Sequence, residues 1–250
     1  MKQKKGSTSG CHGAFALARK ELLTYLSTPA FFGAAIFFLV FCSIWLFYIQ
    51  RYFAVNAATL RPYFSAFPTV FILVIPVLTM KSWSEERKTG SIEMLLTMPL
   101  SEWSLVMGKF ISAYTMLVMI LIMTIPLPIS LIPLGRYDYG VILCEYLGAF
   151  LLGASSVSLG LLLSSLSKSQ AGSFLGSMAV MMVVMMGDQL TQSINLPYTL
   201  TRMINFISLA FHFDSFTKGL IDSRNVVYFA VSTMLFLFIT TRVILFRKWR

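Results

Sequence analysis

FFGAAIFFLVFCSIWLFYI, at residues 31–49, decides the class of fold, because the stretch contains no Asp, Glu, Lys or Arg. A helix needs about 20 consecutive apolar residues to cross the roughly 30 Å hydrocarbon layer of a membrane. Within that layer the backbone has no water to bind, and a helix satisfies its own polar groups. The stretch therefore predicts a membrane-spanning helix.

Five further apolar runs follow, at residues 64–80, 105–125, 141–163, 171–186 and 226–246. Hydrophobic residues make up 57% of the chain and charged residues 12%, about half the charged share of a typical soluble domain. Only SSLSKSQ, at residues 164–170, separates the fourth run from the fifth, which predicts a tight hairpin. The sequence thus predicts an all-α membrane protein, with a single transmembrane domain of six spans over residues 1–250.

The basic residues predict how the chain is oriented. Most of the 20 Lys and Arg residues fall in the two termini and in the connections after the second and fourth spans. This asymmetry predicts that both termini are cytoplasmic, in a multi-pass protein of the inner (plasma) membrane. The net charge of +10 then needs no nucleic acid partner, because basic segments are attracted to the anionic headgroups of membrane lipids.

The segment FALARKELLTYLSTP, at residues 15–29, predicts an interfacial helix before the first span. Its apolar residues fall on one side and its basic residues on another, a pattern typical of helices that lie in the headgroup plane. Pro29 is expected to end this helix. Two roles are open: a simple membrane anchor, or an elbow that transmits movement to the first span.

The densest charge cluster, SEERKTGSIEMLLTMP, occupies residues 84–99 between the second and third spans. Ser82 and Glu85 have the spacing of a capping box, which predicts a helix start at that point. Gly90 is expected to break this helix. A short apolar stripe follows at Ile92, Leu95 and Leu96 and ends at Pro99. The loop at residues 82–100 is thus predicted to hold a charged helix, a hinge and a short amphipathic helix.

Three stretches carry a resemblance to a known family. WSEERKTGSIEMLLTMPLSEWSLVMGKF, at residues 83–110, resembles the cytoplasmic loop of ABC type-2 exporter permeases, and ELLTYLSTPAFF, at residues 21–32, resembles their elbow and first span. HFDSFTKGLIDSRNVVYF, at residues 212–229, is similar to the segment before the last span in the gliding-motility-associated subgroup. The resemblance implies one half of an exporter's transmembrane unit, paired with a second permease copy or a homologue.

In that family the short helix is a coupling helix that sits in a cleft of a separate ABC ATPase subunit. Carried over by resemblance, the ATPase-coupling residues are Glu85, Glu86, Arg87, Gly90, Glu93, Leu95, Leu96 and Pro99. The alternative is a solvated loop that only joins two helices. No stretch of this chain matches the phosphate-binding pattern G-x-x-x-x-G-K-[ST]. The chain is therefore not expected to be an enzyme or to hold a cofactor, and ATP and Mg²⁺ are expected on the ATPase partner.

Small and ionisable residues within the spans supply further candidates. Gly172 and Gly176 form a G-x-x-x-G pair in the fifth span, and similar small-residue spacings occur in the fourth span. Packing within the chain is favoured over a seam between subunits. The family likeness implies that the second and fifth spans border the pathway. Candidate pathway or packing residues are Phe71, Val74, Glu145, Gly172, Gly176, Met178 and Met182.

Glu145 is a default functional candidate as an intramembrane carboxylate, although it lies near enough to the outer boundary to reach the headgroups. The Met-rich fifth span could bind Cu(I), but apolar packing is favoured, and no metal or disulfide framework is legible.

The outer segment, at residues 188–225, contains the amphipathic stretch INFISLAFHFDSF, with Gly219 as its stop and Asp222 as an N-cap for the last span. It could act as a gate or as a passive support. Two other functions compete for the whole chain. One is a non-transporting scaffold or assembly factor that docks a cytoplasmic partner through residues 82–100. The other is an ion-coupled transporter, which would require more buried charges than this sequence offers.

Overall fold

The chain folds into a bundle of helices. The computed structural model describes residues 8–55, 59–90, 101–135, 137–193 and 198–248, and no strand occurs among them. The helices are α1 Thr8–Leu26, α2 Pro29–Ile44, α3 Tyr52–Val55, α4 Arg61–Phe64, α5 Phe67–Lys88, α6 Glu102–Met123, α7 Pro126–Leu131, α8 Tyr139–Leu166, α9 Gln170–Ser193, α10 Tyr198–Ile207, α11 Leu209–Thr217 and α12 Ser223–Lys248. A π-helical turn, Trp45–Ile49, extends α2, and a short 3-10 turn, Ile132–Leu134, follows α7.

Six helical stretches of the described chain are long and apolar enough to cross a membrane. They are Pro29–Ile49, Arg61–Lys88, Glu102–Leu131, Tyr139–Leu166, Gln170–Gly187 and Ser223–Phe246. The predicted all-α architecture with six spans is confirmed. The second stretch continues well past the predicted end at residue 80, so the charged run at the start of the 82–100 loop is part of the same helix.

Short polar residues and prolines define where the helices begin. Thr28 has an extended backbone (φ −92°, ψ 136°), and Pro29 is the first residue of α2, a position that suits its fixed φ and its missing N–H. Pro29 thus starts the first span after α1 has already ended at Leu26. Asp138 caps α8 by accepting a hydrogen bond from the Gly140 N–H at 2.8 Å, and Ser101 caps α6 in the same way.

Helices α5 and α8 form the centre of the bundle. About 72% of the α5 span and 67% of the α8 span are buried, against 28–39% for the other four. Helix α5 packs against α8, α9 and α2, and α8 also packs against α12 and α11. Helix α1 packs along α6. The two central helices therefore contact nearly every other span.

Glycines let neighbouring elements approach α8 closely. A Cβ built at Gly148 would lie 2.5 Å from Phe216 Cβ, and one at Gly153 would lie 2.5 Å from Leu117 Cδ2. A Cβ at Gly160 would lie 2.5 Å from Thr79 Oγ1 on α5. The small residues predicted in the fourth span therefore serve packing within the chain, as expected.

Gly148→Ala is expected to lower stability because the new methyl group would overlap the rigid Cβ of Phe216 on α11. Overpacking of this kind costs about 1–3 kcal/mol. The matched control is Gly176→Ala, since no atom lies within 4 Å of a Cβ built there. Thermal unfolding of the purified chain in detergent should show a lower midpoint for Gly148→Ala and little change for the control. Equal midpoints for the two variants would show that α11 does not pack on α8 in this way.

The predicted amphipathic stretch at residues 204–216 is two helices instead of one. Ser208 interrupts it with an extended backbone, and its side chain caps α11 by accepting from the Phe211 N–H at 3.3 Å. Gly219, at φ +74°, ends the turn after α11. Asp222 accepts a hydrogen bond from the Arg224 N–H at 2.9 Å, which confirms its predicted capping role. Helices α10 and α11 therefore form a folded unit at one end of the bundle, called here the far end.

An ion-pair network joins α11 to α4 at the far end. Asp214 Oδ1 accepts from Arg61 Nη2 at 3.1 Å, and the same carboxylate pairs with Lys218. Partial burial acts to raise the pKa of Asp214, but the hydrogen bonds from Lys218 and Arg61 outweigh it and hold the pKa below its usual value. The carboxylate is therefore charged at neutral pH and remains a partner for both cations.

Candidate functional site

The charged run found in the sequence ends helix α5 at the end of the bundle opposite α10 and α11. Helix α5 reaches Lys88, Thr89 follows as its C-cap, and Gly90 has φ +70°. The Thr89 N–H binds the Glu85 carbonyl at 3.0 Å, and the Gly90 N–H binds the Arg87 carbonyl at 3.2 Å. Gly90 thus ends the helix as predicted, because a residue with a side chain would be strained at this φ.

A buried lysine joins three helices beside this end of α5. Lys109, on α6, is only 1% exposed. Its Nζ donates to Glu21 Oε1 on α1 at 2.8 Å, to Glu86 Oε1 on α5 at 2.7 Å, and to the Ser82 carbonyl oxygen at 2.7 Å. The ammonium also lies 4.9 Å from the ring centroid of Trp83. We call Glu21, Glu86 and Lys109 the lysine cluster.

The lysine cluster and the Ser82 carbonyl together satisfy every donor of the Lys109 ammonium group. An ammonium has three N–H donors, and each of the three oxygens takes one. Burial of a lone charge is costly, so this side chain stays buried because two carboxylates and a carbonyl surround it. The Trp83 ring adds a favourable cation–π contact. The side chain of Lys109 therefore joins helices α1, α5 and α6.

A second contact holds α1 against α5. The hydroxyl groups of Tyr25 and Ser82 lie 2.8 Å apart and are buried. Burial raises the pKa of Tyr25, and nearby carboxylates add to the effect, so its hydroxyl stays protonated. Ser82 therefore lies in the interior of α5, and the capping box predicted at Ser82 and Glu85 is wrong. Packing of α1 against this face of α5, with Tyr25 on Ser82, keeps the helix continuous through the position where the local pattern would begin a new one.

Arg87 joins the same end of α5 to α8. Its guanidinium donates to the Ser167 carbonyl at 2.7 Å and also binds the carbonyl of Ser165, with that of Leu166 at 3.5 Å. These carbonyls close the last turn of α8, where a helix leaves acceptors unpaired and carries partial negative charge. Arg87 therefore caps α8 from a neighbouring helix. Together with the lysine cluster, it connects the end of α5 to α1, α6 and α8.

The structure divides the predicted coupling residues into three groups. Glu86 and Arg87 make contacts within the chain, as described above. Glu85 and Gly90 are exposed at the end of α5. Glu93, Leu95, Leu96 and Pro99 lie outside the described residues. The structure thus separates an exposed pair at the end of α5 from a partly buried pair, Glu86 and Arg87, that holds α5 to its neighbours.

Comparison with known proteins supplies the family. A family model described as ABC-2 family transporter protein matches residues 15–246, nearly the whole chain. The chain belongs to the ABC-2 transporter family. Membership indicates the transmembrane subunit of an ABC transporter, without an enzymatic site of its own.

Two curated relatives of this ABC-2 permease are themselves named as ABC transporter permeases. Over 145 residues the chain is 29% identical to the probable multidrug ABC transporter permease YbhR of Escherichia coli strain K12, and to its counterpart in strain O157:H7. The match covers 58% of this chain but only 39% of either relative. The permease thus aligns with well under half the length of these relatives.

Two of the pathway candidates in the second span lie in the core of the permease. Phe71 and Val74 are fully buried, and the Phe71 ring lies 5.9 Å from that of Phe38 on α2. Their contacts serve packing between α5 and its neighbours. These residues were predicted to line the pathway or to pack between helices, and in the described chain both lie in the hydrophobic core.

The small residues of the fifth span show the opposite arrangement. Gly172 and Gly176 are exposed on α9, and no atom lies within 4 Å of a Cβ built at Gly176. Within the described chain, this pair therefore does not pack against another helix. The reason is that α9 is the least buried of the six spans and turns this face away from α5.

The methionines of α9 also divide between two faces. Met181 and Met185 are buried against the core, whereas Met182 is 52% exposed and Met178 is partly buried. Of the two named pathway candidates, Met182 faces outward and Met178 borders the core. Within the described part of the chain, no group of three or more His, Cys, Asp or Glu side chains could hold a metal ion.

Glu145 is more fully buried within the bundle than its position near the start of the fourth span suggested. It is fully buried, and among the described residues neither carboxylate oxygen has a hydrogen-bond partner. The expectation that it could reach the headgroups is wrong, because α11 packs over this part of α8, with Phe216 and Phe213 against Gly148. Glu145 is thus covered by the far-end helices and does not face lipid.

Sequence reasoning missed Glu21, Tyr25 and Lys109 as members of the site. The available signal was Lys109 itself, a charged residue within the apolar run of the predicted third span. A lysine within an apolar run needs an anionic partner, and Glu21 on the preceding amphipathic helix was one of few carboxylates in the chain. The pairing itself follows from the packing of α1 on α6.

Proposed function

We propose that this chain is the transmembrane subunit of an ATP-driven ABC exporter and forms half of a translocation pathway. A second copy or a homologue supplies the other half, and a separate ABC ATPase binds ATP and Mg²⁺. Family membership supports the transmembrane role. The observation that carries the coupling role is the connection of the α5 end to α1, α6 and α8 through the lysine cluster and Arg87.

The proposed mechanism is mechanical. Closure of the ATPase dimer on ATP displaces the segment at residues 91–100, which follows the end of α5 in the chain. Because Lys109 and Arg87 fix the end of α5 to its neighbours, the displacement moves several helices as a unit instead of bending one loop. The central position of α5 and α8 carries this movement across the bundle. The pathway then switches its access from one side of the membrane to the other.

Residues take distinct parts in this mechanism. Glu85 and the short helix with Glu93, Leu95, Leu96 and Pro99 contact the ATPase, and Gly90 is the hinge between that helix and α5. Glu86 and Arg87 couple indirectly, by holding α5 to α6 and α8. The exposed face of α9 at Gly172, Gly176 and Met182 faces the second permease or the pathway.

The cargo and the direction of transport are proposed from the likeness of the chain to known permeases. The named relative is a probable multidrug permease, which favours export of small amphipathic molecules. Residues 212–229 further favour a place for this chain near the gliding-motility-associated subgroup of these permeases.

Purification from native membranes tests the division of labour. The tagged permease should copurify with an ABC ATPase, and hydrolysis by that subunit should be faster in the complex than alone. The isolated permease should bind no ATP above background. Stoichiometric ATP binding by the isolated chain would overturn the assignment, and a complex without stimulated hydrolysis would favour the scaffold function.

The proposed orientation predicts a pattern of cysteine labelling. In a variant without its native cysteines, Thr199→Cys should react with an impermeant thiol reagent added to intact cells, because α10 is proposed to lie outside. Thr89→Cys should react only after the membrane is permeabilised, because Thr89 ends α5 on the cytoplasmic side. Mass-tag gel shifts measure both reactions. Labelling of Thr89→Cys in intact cells would reverse the orientation.

A further inference from the structure

A groove of about 1090 Å³ opens at the far end, between α10, α11 and α12. Its volume is at the upper end of the range for pockets that bind small molecules. Val227, Val231 and Leu235 on α12 form one apolar side, and Phe206 on α10 contributes to the other. These four apolar side chains are all exposed in the described chain. The groove is thus an apolar channel with an open side, and the mechanism proposed above does not use it.

The groove is as long as one leaflet of a bilayer. Its lining on α12 runs from Arg224, near the start of the helix, to Phe236. At 1.5 Å of rise per residue this is about 18 Å, while half of a hydrocarbon layer of roughly 30 Å is about 15 Å. A chain seated along α12 would therefore extend from the headgroup level to the middle of the membrane.

The mouth of the groove carries positive charge. Arg202 on α10 and Arg224 at the start of α12 line it and are exposed. Neither forms an ion pair with any described residue. Asp222 also lies at the mouth, but one of its oxygens caps α12 by accepting from the Arg224 N–H. Two guanidinium groups thus remain available at headgroup level, and guanidinium is suited to bind phosphate oxygens.

The groove is also lined by the polar side chains of His212, Asn225 and Tyr228, which hold one another in place. His212 stacks on Tyr228 with ring centroids 3.8 Å apart, and its Nδ1 lies 2.7 Å from Asn225 Oδ1. The Tyr228 hydroxyl donates to the Ile207 carbonyl at 2.8 Å. These contacts tie α10 and α11 to α12, so the groove is formed without a ligand.

We propose that this groove binds one anionic glycerophospholipid, with its phosphate at Arg202 and Arg224 and one acyl chain along Val227, Val231 and Leu235. A membrane lipid is the occupant that matches a charged mouth, an apolar floor and a depth of one leaflet together. The proposal uses the proposed orientation only to name this leaflet the outer one. It does not depend on ATP coupling.

Photolabelling in nanodiscs tests the site on the full chain without its ATPase. The probes are phosphatidylglycerol and phosphatidylcholine, each with a diazirine near the end of one acyl chain. Phosphatidylglycerol adducts should map to the groove residues Val231, Leu235 and Phe236 of α12 and exceed phosphatidylcholine adducts there by about fivefold or more, because each arginine at the mouth attracts the anionic headgroup. Arg202→Gln with Arg224→Gln should remove this preference.

Matched variants separate the groove from bulk lipid. Leu235→Trp should fill the floor and reduce labelling by both probes, whereas Met234→Trp, on an exposed face of α12 outside the groove, should not. Arg51→Gln, at an exposed arginine outside the groove, is the control for charge. Each variant is used only if its thermal midpoint matches that of the parent chain.

Three photolabelling results would overturn the lipid site. These are equal labelling by the two probes, an unchanged preference in the double arginine variant, and equal adduct yields at Met234 and Leu235. A disulfide between two copies at Val231→Cys would also overturn it, because a second permease would then cover the groove. Failure here leaves the exporter assignment intact, since ATP hydrolysis is measured separately.

Discussion

Leu95→Asp combined with Leu96→Asp is expected to abolish ATP-coupled transport while expression and membrane insertion stay normal. Burial of each leucine in an ATPase cleft contributes on the order of 1.5–3 kcal/mol. Aspartate removes that gain and adds the cost of burying a charge. The complex should therefore dissociate, or hydrolyse ATP without moving cargo. Copurification and hydrolysis rates measure the two outcomes.

Thr97→Asp is the matched control for the leucine pair. It introduces the same side chain in the same short segment, but off the stripe formed by Ile92, Leu95 and Leu96. The ATPase should still bind and be stimulated. If the double leucine variant binds its ATPase with unchanged affinity and supports transport, the stripe faces lipid and its coupling role must be withdrawn.

The second large effect is expected for Lys109→Met. Methionine fills most of the same space, but the change leaves Glu21 and Glu86 facing each other without a cation. Removal of one partner from a buried ion pair costs about 3–5 kcal/mol. The thermal midpoint of the purified chain should fall, and any assembled complex should hydrolyse ATP with poor coupling because α5 is released from α1 and α6.

Two variants make the Lys109 result specific. Lys168→Met removes an exposed lysine between α8 and α9 and should change neither stability nor coupling. Glu21→Gln with Glu86→Gln in the Lys109→Met background should recover much of the thermal stability, because no unpaired charge is then buried. A Lys109→Met variant with parental stability and coupling would show that the lysine cluster does not hold the three helices together.

Much of the fold could be predicted from the sequence because a bilayer imposes a simple requirement on length and polarity. All six spans follow from apolar runs, and the break at Gly90 follows from its conformational freedom. The capping box at Ser82 failed because tertiary packing overrode a local pattern. Trp83 and Tyr25 pack where a new helix would have started, so α5 continues to Lys88.

The candidate site was harder to predict because its contacts join distant parts of the chain. Glu21 and Lys109 are 88 residues apart, and no local spacing links them. Glu86 was assigned to a partner surface by the resemblance of its loop to the family, yet its carboxylate pairs with Lys109 inside the chain. Glu145 was misjudged for a related reason, since its depth along α8 says nothing about the covering helix α11.

A photocrosslinking amino acid in place of Leu95 tests the central claim most directly, namely that a separate ATPase acts on the membrane helices through residues 82–100. The purified complex is irradiated without nucleotide and with ATP, and adducts are identified by mass spectrometry. The account predicts one dominant adduct, to the ATPase subunit, with a yield that changes when ATP binds. Adducts to lipid alone, in both conditions, would contradict it.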